Sequence, residues 1–382
     1  MNPEYSLSLF DEDEEDVESS LSPELRDELR ETVVYNLDWT VATVLSQLEA
    51  GTIDLQPQYQ RRDAWTIARK SKLIESLILG LPVPHVVLAE SHDEKGSFLV
   101  LDGKQRLTTL AQFAGTLPSS AANGFALTQL PLLGDLEGVT FARLLESDDL
   151  RQTRQAFLNQ GLRTAILRGW KSEDLLHIVF HRLNSQVVPL SPQELRQALI
   201  RGPFMAFLND YSGKSPTMRW LLDLDGPDFR MRDSELLLRL LGLTRFRSEY
   251  RGDLRRFLDV LARKLSASWS ENAARTEADF RAIEDALEVW GEVLGRDKVG
   301  RKFVDKRYEG RLNRAILDAQ VSAAIDPAVA KKIRKNPAQA RRRFEALMSE
   351  DDNFRRAIEA TTKSVEAVRY RMDRLHAVLS EK

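Results

Sequence analysis

The chain has 382 residues, 42% hydrophobic and 30% charged, which is enough to bury a sizeable core without covalent staples. It has no cysteine, so disulfides, thiolate metal sites and cysteine nucleophiles are excluded. The net charge of −3 is unevenly spread: residues 1–32 hold twelve acids against Arg26 and Arg30 and carry −10, leaving +7 on the rest. A block of like charge of this kind is expected to be a solvated, disordered tail, either a solubility element or a mask over a basic surface. No apolar run reaches the ~18 residues of a membrane span, and no basic flank precedes an apolar block at the N-terminus. A cytoplasmic protein without membrane contact is therefore expected.

After the tail, Tyr35 to Thr43 mixes aromatic and β-branched residues, and Val41 to Leu48 has helical spacing. Ile53 to Leu55 reads as a short strand. Ile67, Leu73, Ile74, Leu77 and Ile78 form one helical face, which Gly80, Pro82 and Pro84 end. Val86 to Ala89 and Phe98 to Leu101 are compact apolar runs between turn residues, the pattern of buried strands. Asp102-Gly103 makes a sharp turn, and Arg106 to Phe113 restarts as a helix. Residues 114–138 are a loop with one short element, and beyond them the pattern is almost wholly helical. Ser191-Pro192-Gln193-Glu194 is a capping box, and Asp326-Pro327 and Asn336-Pro337 open further helices.

Phe354, Ile358, Thr361, Val365, Val368, Met372, Leu375 and Leu379 alternate four- and three-residue spacings, a heptad seam. It packs on the chain's own bundle or forms a homodimer. Residues 296–343 contain fifteen Lys or Arg residues, either a solvated helix face or a DNA contact. Of the five histidines, His177 and His181 are four apart, but no acid accompanies them at metal-site spacing, so no metal site is expected there.

The polar cluster of interest is Asp102-Gly103-Lys104-Gln105-Arg106-Leu107-Thr108-Thr109, where a buried strand hands over to a helix. A helix N-terminus presents unsatisfied N–H groups and a positive dipole end that suit phosphate. Gly103 permits close backbone approach, and Lys104 and Arg106 add positive charge, the arginine with a fork that matches two phosphate oxygens. Thr108 and Thr109 offer hydroxyls, and Gln105 can orient a water. On spacing alone, a solvated turn satisfies the same pattern. A second cluster, Gln60, Arg61 and Arg62 beside Tyr59 and Trp65, can grip a phosphate chain or be a plain basic turn.

Together these segments resemble the ParB/sulfiredoxin superfamily, and more closely the GmrSD-type restriction endonuclease N-terminal family (domain of unknown function 262). The hallmark Asp-Gly-Gln-Gln-Arg-Leu-Thr-Thr is matched by Asp102 to Thr109, with Lys104 in place of the first Gln. Phe180-His181-Arg182-Leu183-Asn184-Ser185 and Leu190 to Arg196 are similar to the family's Phe-x-Arg-x-Asn and Leu-Ser-x-x-Glu-Leu-Arg segments. The resemblance covers roughly residues 35–245. It implies an α+β chain with a ParB-like nucleotide-binding domain over 33–210, and the helical spacing, basic run and histidine positions beyond it give an all-helical, basic, non-catalytic domain over 211–382.

The function it implies is a nucleotide-binding, NTP-hydrolysing component of a prokaryotic DNA-restriction or anti-phage system, with DNA and a defence-system protein as partners. A nuclease acting on DNA directly and a non-enzymatic, nucleotide-gated adaptor are the alternatives. Asp102, Gln105 and Arg106 are then the catalytic candidates, with Asp102 anchoring the turn or a Mg²⁺ that accompanies the NTP. Gln60, Arg61, Arg62, Gly103, Lys104, Thr108 and Thr109 are the nucleotide-binding candidates. Glu75, Arg182 and Asn184 support them.

Overall fold

The computed structural model describes residues 28, 31–55, 65–91, 94–116, 124–172, 175–176, 179, 191–200, 202–228, 230–360 and 362–381. They form two compact units, one running to Leu199 and the other beginning at Ile200, ahead of the boundary expected at 210.

The first unit contains, in chain order, β1 (Val33–Thr40), α1 (Val41–Glu49), β2 (Ile53–Asp54), α2 (Ile67–Ile78), β3 (Val86–Glu90), β4 (Phe98–Asp102), α3 (Lys104–Ala114), α4 (Phe141–Glu146), α5 (Arg151–Asn159), β5 (Gly161–Arg168) and α6 (Pro192–Leu199). The sheet is mixed, in the order β1-β5-β3-β4-β2. β1 with β5 and β3 with β4 are antiparallel, whereas β5 with β3 and β4 with β2 are parallel. The central strands are covered on both faces, which is why they read as unbroken apolar runs and not as alternation. Val86, Leu88, Phe98, Val100, Leu162 and Ile166 join one core cluster with residues of α1, α2, α3 and α5. Their neighbours Val87, Ala89, Leu99, Leu101 and Leu167 join the other, with Trp170, Leu175 and Leu176.

Local chemistry sets the helix ends. Thr40 and Thr66 cap α1 and α2 by accepting from the Thr43 and Arg69 amides. After α2, Gly80 takes a left-handed conformation, and the Gly80 and Leu81 amides donate to the Leu77 and Ser76 carbonyls, a Schellman end. The capping box at α6 closes reciprocally: the Glu194 amide donates to Ser191 Oγ at 3.1 Å, and the Ser191 amide donates to Glu194 Oε2 at 2.6 Å. β5 departs from the helical expectation after residue 138. Its Leu, Ala and Arg residues favour helix, but continuous pairing with β1 on one side and β3 on the other overrides that preference.

The second unit contains α7 (Pro203–Lys214), α8 (Pro216–Leu222), α9 (Arg232–Arg245), α10 (Leu254–Ala267), α11 (Trp269–Leu294), β6 (Arg301–Val304), β7 (Arg307–Leu312), α12 (Arg314–Ala324), α13 (Pro327–Lys335), α14 (Pro337–Glu350), α15 (Asp352–Glu359) and α16 (Val365–Ser380). It is not all-α: β6 and β7 form an antiparallel hairpin. Its two turn residues, Asp305 and Lys306, both have positive φ (49° and 62°). A two-residue turn of this kind is normally announced by Asn-Gly or Asp-Gly, so Asp-Lys gave no signal. The heptad seam is not one helix either. Ser364 starts α16 as an N-cap after the break that follows α15. Phe354, Ile358, Val368, Met372, Leu375 and Leu379 are all buried in the unit's own core.

That core also holds an Arg–Asp–Arg cluster. Arg239 donates to both carboxylate oxygens of Asp318 at 3.0 and 2.9 Å, and Arg371 donates to Oδ2 at 2.6 Å. Arg371 spends its remaining reach on the Ala357 and Thr362 carbonyls, so it closes the end of α15 and the segment after it.

Candidate functional site

The site lies where β4 hands over to α3. The β3–β4 ladder runs regularly from Glu90↔Phe98 to Leu88↔Val100 and then slips by one residue, so that Val87 faces Asp102. A bulge of this kind turns the end of a strand and re-aims its last side chains. Gly103 follows with φ +92°, and a Cβ there would lie 2.9 Å from Val86 Cγ2 and 3.3 Å from Val86 Cα. Only glycine suits both the dihedral and the space. α3 therefore starts directly against the first residue of β3, with no side-chain cap on its N-terminal amides.

Arg106, in the first turn of α3, folds back over this junction. One terminal nitrogen, Nη2, donates to Asp102 Oδ2 at 2.7 Å and to the His85 carbonyl at 2.9 Å. The Arg106 side chain is only 15% exposed and that of Asp102 35%, so the pair is partly withdrawn from solvent. Two neighbouring atoms, Gln105 Oε1 and Arg106 Nε, are buried without a hydrogen-bond partner among the described residues. Such groups cost free energy unless a ligand or water meets them. Lys104 is half-buried as the first residue of α3.

The remaining candidates divide by position. Thr109 is fully buried and its hydroxyl donates to the Gln105 carbonyl at 2.7 Å, while Thr108 is 7% exposed. Both threonines sit on the core side of α3, and Thr109 holds the first turn together. Glu75 on α2 is 3% exposed, and its Oε1 accepts from the Leu132 and Leu133 amides at 2.8 and 2.7 Å. It fixes the chain before α4. Gln60, Arg61, Arg62, Arg182 and Asn184 lie outside the described residues, as do Phe180, Leu183, His177 and His181. The His85 carbonyl, a backbone group with no sequence signal, is the contact that residue-type reasoning missed.

Among the described residues no three His, Cys, Asp or Glu side chains come together as a metal cage. Asp102 is the one carboxylate at the turn that meets Arg106. Mg²⁺ is commonly held by one or two carboxylates together with phosphate oxygens and water, and Asp102 fits a single-ligand contribution of that kind. Among the described residues, no helix is long and apolar enough to cross a membrane.

No curated protein and no solved structure matches the chain. Residues 41–201, which include β2 to β4, α3 and the whole Asp102–Thr109 turn, match the family model of the GmrSD restriction endonuclease, N-terminal domain.

Proposed function

We propose that the protein is the nucleotide-binding and NTP-hydrolysing component of a DNA-restriction or anti-phage system, with the phosphates received at the Gly103 turn in a ParB-like domain. The observation that carries this is the pair of buried, unpartnered atoms, Gln105 Oε1 and Arg106 Nε, beside an uncapped helix N-terminus. An unpaired N–H donor beside the positive end of a helix dipole favours an anion, and an unpaired carbonyl oxygen accepts from a water. Arg106 then contacts phosphate through Nε while Nη2 stays on the His85 carbonyl and Asp102. Lys104 adds charge, and Gln105 orients the attacking water. When bound, Mg²⁺ neutralises charge developing on the phosphate oxygens, and Asp102 would hold it. Gln60, Arg61, Arg62, Arg182 and Asn184 complete the pocket in this proposal, on the strength of the family resemblance. DNA is the proposed macromolecular partner, supported by the family's description and by the basic run of residues 296–343.

The test is phosphate release from each NTP with Mg²⁺, with and without DNA, by the wild-type chain and by Gln105→Ala. The expected result is release by the wild type, cut about 100-fold or more in the variant while nucleotide affinity changes little. Plasmid nicking without NTP turnover would instead mark the turn as a nuclease site. Nucleotide binding without turnover would mark the protein as a gated adaptor.

A further inference from the structure

The outer edge of the first unit's sheet is unusual for a protein that stays single. Among the described residues β1 is the edge strand, eight residues long, and pairs with β5 without a bulge from Val33↔Arg168 to Thr40↔Gly161. Val33, Tyr35 and Leu37 on one face and Val34 on the other are 47%, 45%, 41% and 54% exposed. Exposed large apolar residues are otherwise scattered in the described chain, so this is their one dense stretch. Natural edge strands are blunted by Lys, Pro, bulges or shortness, and β1 has none of these; Asp38 is its one charge.

The ladder also fixes which backbone groups of β1 point away from β5. The Val41 amide donates to the Gln160 carbonyl at 2.9 Å, in register with the β1–β5 pairs. Hydrogen-bonded and non-hydrogen-bonded pairs alternate in an antiparallel ladder, so Val33, Tyr35, Leu37 and Trp39 spend their backbone groups on β5. Val34, Asn36 and Asp38 direct theirs outward.

We propose that this edge pairs with the same strand of a second copy of the chain, antiparallel, about a two-fold axis through Tyr35. In that register Val34 and Asn36 of the two copies exchange the outward hydrogen bonds. Tyr35 meets Tyr35, and Val33 meets Leu37 on either side of it, giving an apolar stripe along one face. Each Asp38 lies opposite Thr32 of the second copy, so no carboxylate faces a carboxylate. Arg168, whose guanidinium sits 5.1 Å from the Tyr35 ring, flanks the aromatic pair in both copies. A two-fold contact of this kind is self-complementary and closes, so it yields a dimer with no open filament. The pairing is independent of what the Gly103 turn binds.

The chain's lack of cysteine makes the register directly testable. In full-length protein, sedimentation velocity over a concentration series is expected to show a monomer–dimer equilibrium. Leu37→Lys occurs twice across the axis, so a roughly tenfold loss per copy raises the midpoint about 100-fold. Leu132→Lys, at an exposed apolar residue away from β1, leaves it unchanged. Tyr35→Cys places two thiols in a non-hydrogen-bonded pair, at Cα spacing suited to a disulfide, and is expected to cross-link on mild oxidation; Val34→Cys, opposite Asn36, is not. Circular dichroism and melting curves check that each variant is folded. A wild-type chain that stays monomeric at every concentration would overturn the proposal. So would a dimer that survives Leu37→Lys and gives no Tyr35→Cys cross-link, since another face would then join the copies.

Discussion

At the residue scale, Gly103 carries two constraints, a dihedral that favours glycine and a gap too small for a methyl group. Gly103→Ala is expected to lower stability by about 1–3 kcal/mol, because the left-handed conformation and the Val86 contact both oppose it. Chemical denaturation of the full chain measures this, and an unchanged midpoint would show that the turn relaxes freely. Asp102, Gly103 and Arg106 were legible in the sequence because a strand-to-helix turn is written in adjacent residues. The roles of Thr109 and Glu75 were not, because which way a threonine or glutamate points depends on what packs beside it. Asp318 was invisible for the same reason. Burial alone would push its carboxyl up, but the charges and hydrogen bonds of Arg239 and Arg371 hold it below the usual carboxylate range. A depressed folded-state value means that its contribution is present above the unfolded value of about 3.9 and is lost only as pH falls through the lower folded one. Asp318→Asn removes the buried negative charge that Arg239 and Arg371 share and should cost about 3–5 kcal/mol near neutral pH. The difference in melting temperature between wild type and variant should shrink only in strong acid; a difference that disappears already near pH 5 would contradict the assignment.

At the scale of elements, helices announced by apolar periodicity and capping residues were readable, and so were strands bounded by turns. The capping box at α6 is an example with a measurable consequence. Ser191→Ala removes the acceptor for the Glu194 amide and is expected to cost about 1 kcal/mol, read from a denaturation curve. The elements that escaped share one cause, which is that their stability is not local. β5 forms because β1 and β3 pair with it, and the β6–β7 hairpin turns on Asp305 and Lys306 without a glycine. The seam from Phe354 to Leu379 keeps heptad spacing across a helix break because α15 and α16 bury their apolar faces in the same core.

At the scale of the whole molecule, charge separation is the plainest feature: residues 1–32 carry −10 and the remainder +7. If the basic remainder contacts DNA, the acidic segment competes with it. Deleting residues 1–32 should then tighten non-specific binding and steepen its salt dependence, since more phosphate contacts release more counterions. Equal affinity and equal slope for full-length and truncated chains, in a salt titration, would remove that role. The family match reaches residue 201, so nothing in it speaks for the unit that begins at Ile200.

The central claim is that the Gly103 turn binds the phosphates of a nucleotide, and calorimetric titration of NTP into wild-type and Arg106→Ala protein tests it most directly. Arg106 also ties Asp102 to the His85 carbonyl, so Arg106→Lys and a melting curve accompany the titration to separate a lost contact from a loosened turn. A charge-assisted contact of roughly 1.5–3 kcal/mol corresponds to affinity weakened about 10- to 100-fold in Arg106→Ala, with folded protein in both samples. Unaltered NTP affinity in a folded Arg106→Ala protein would contradict it.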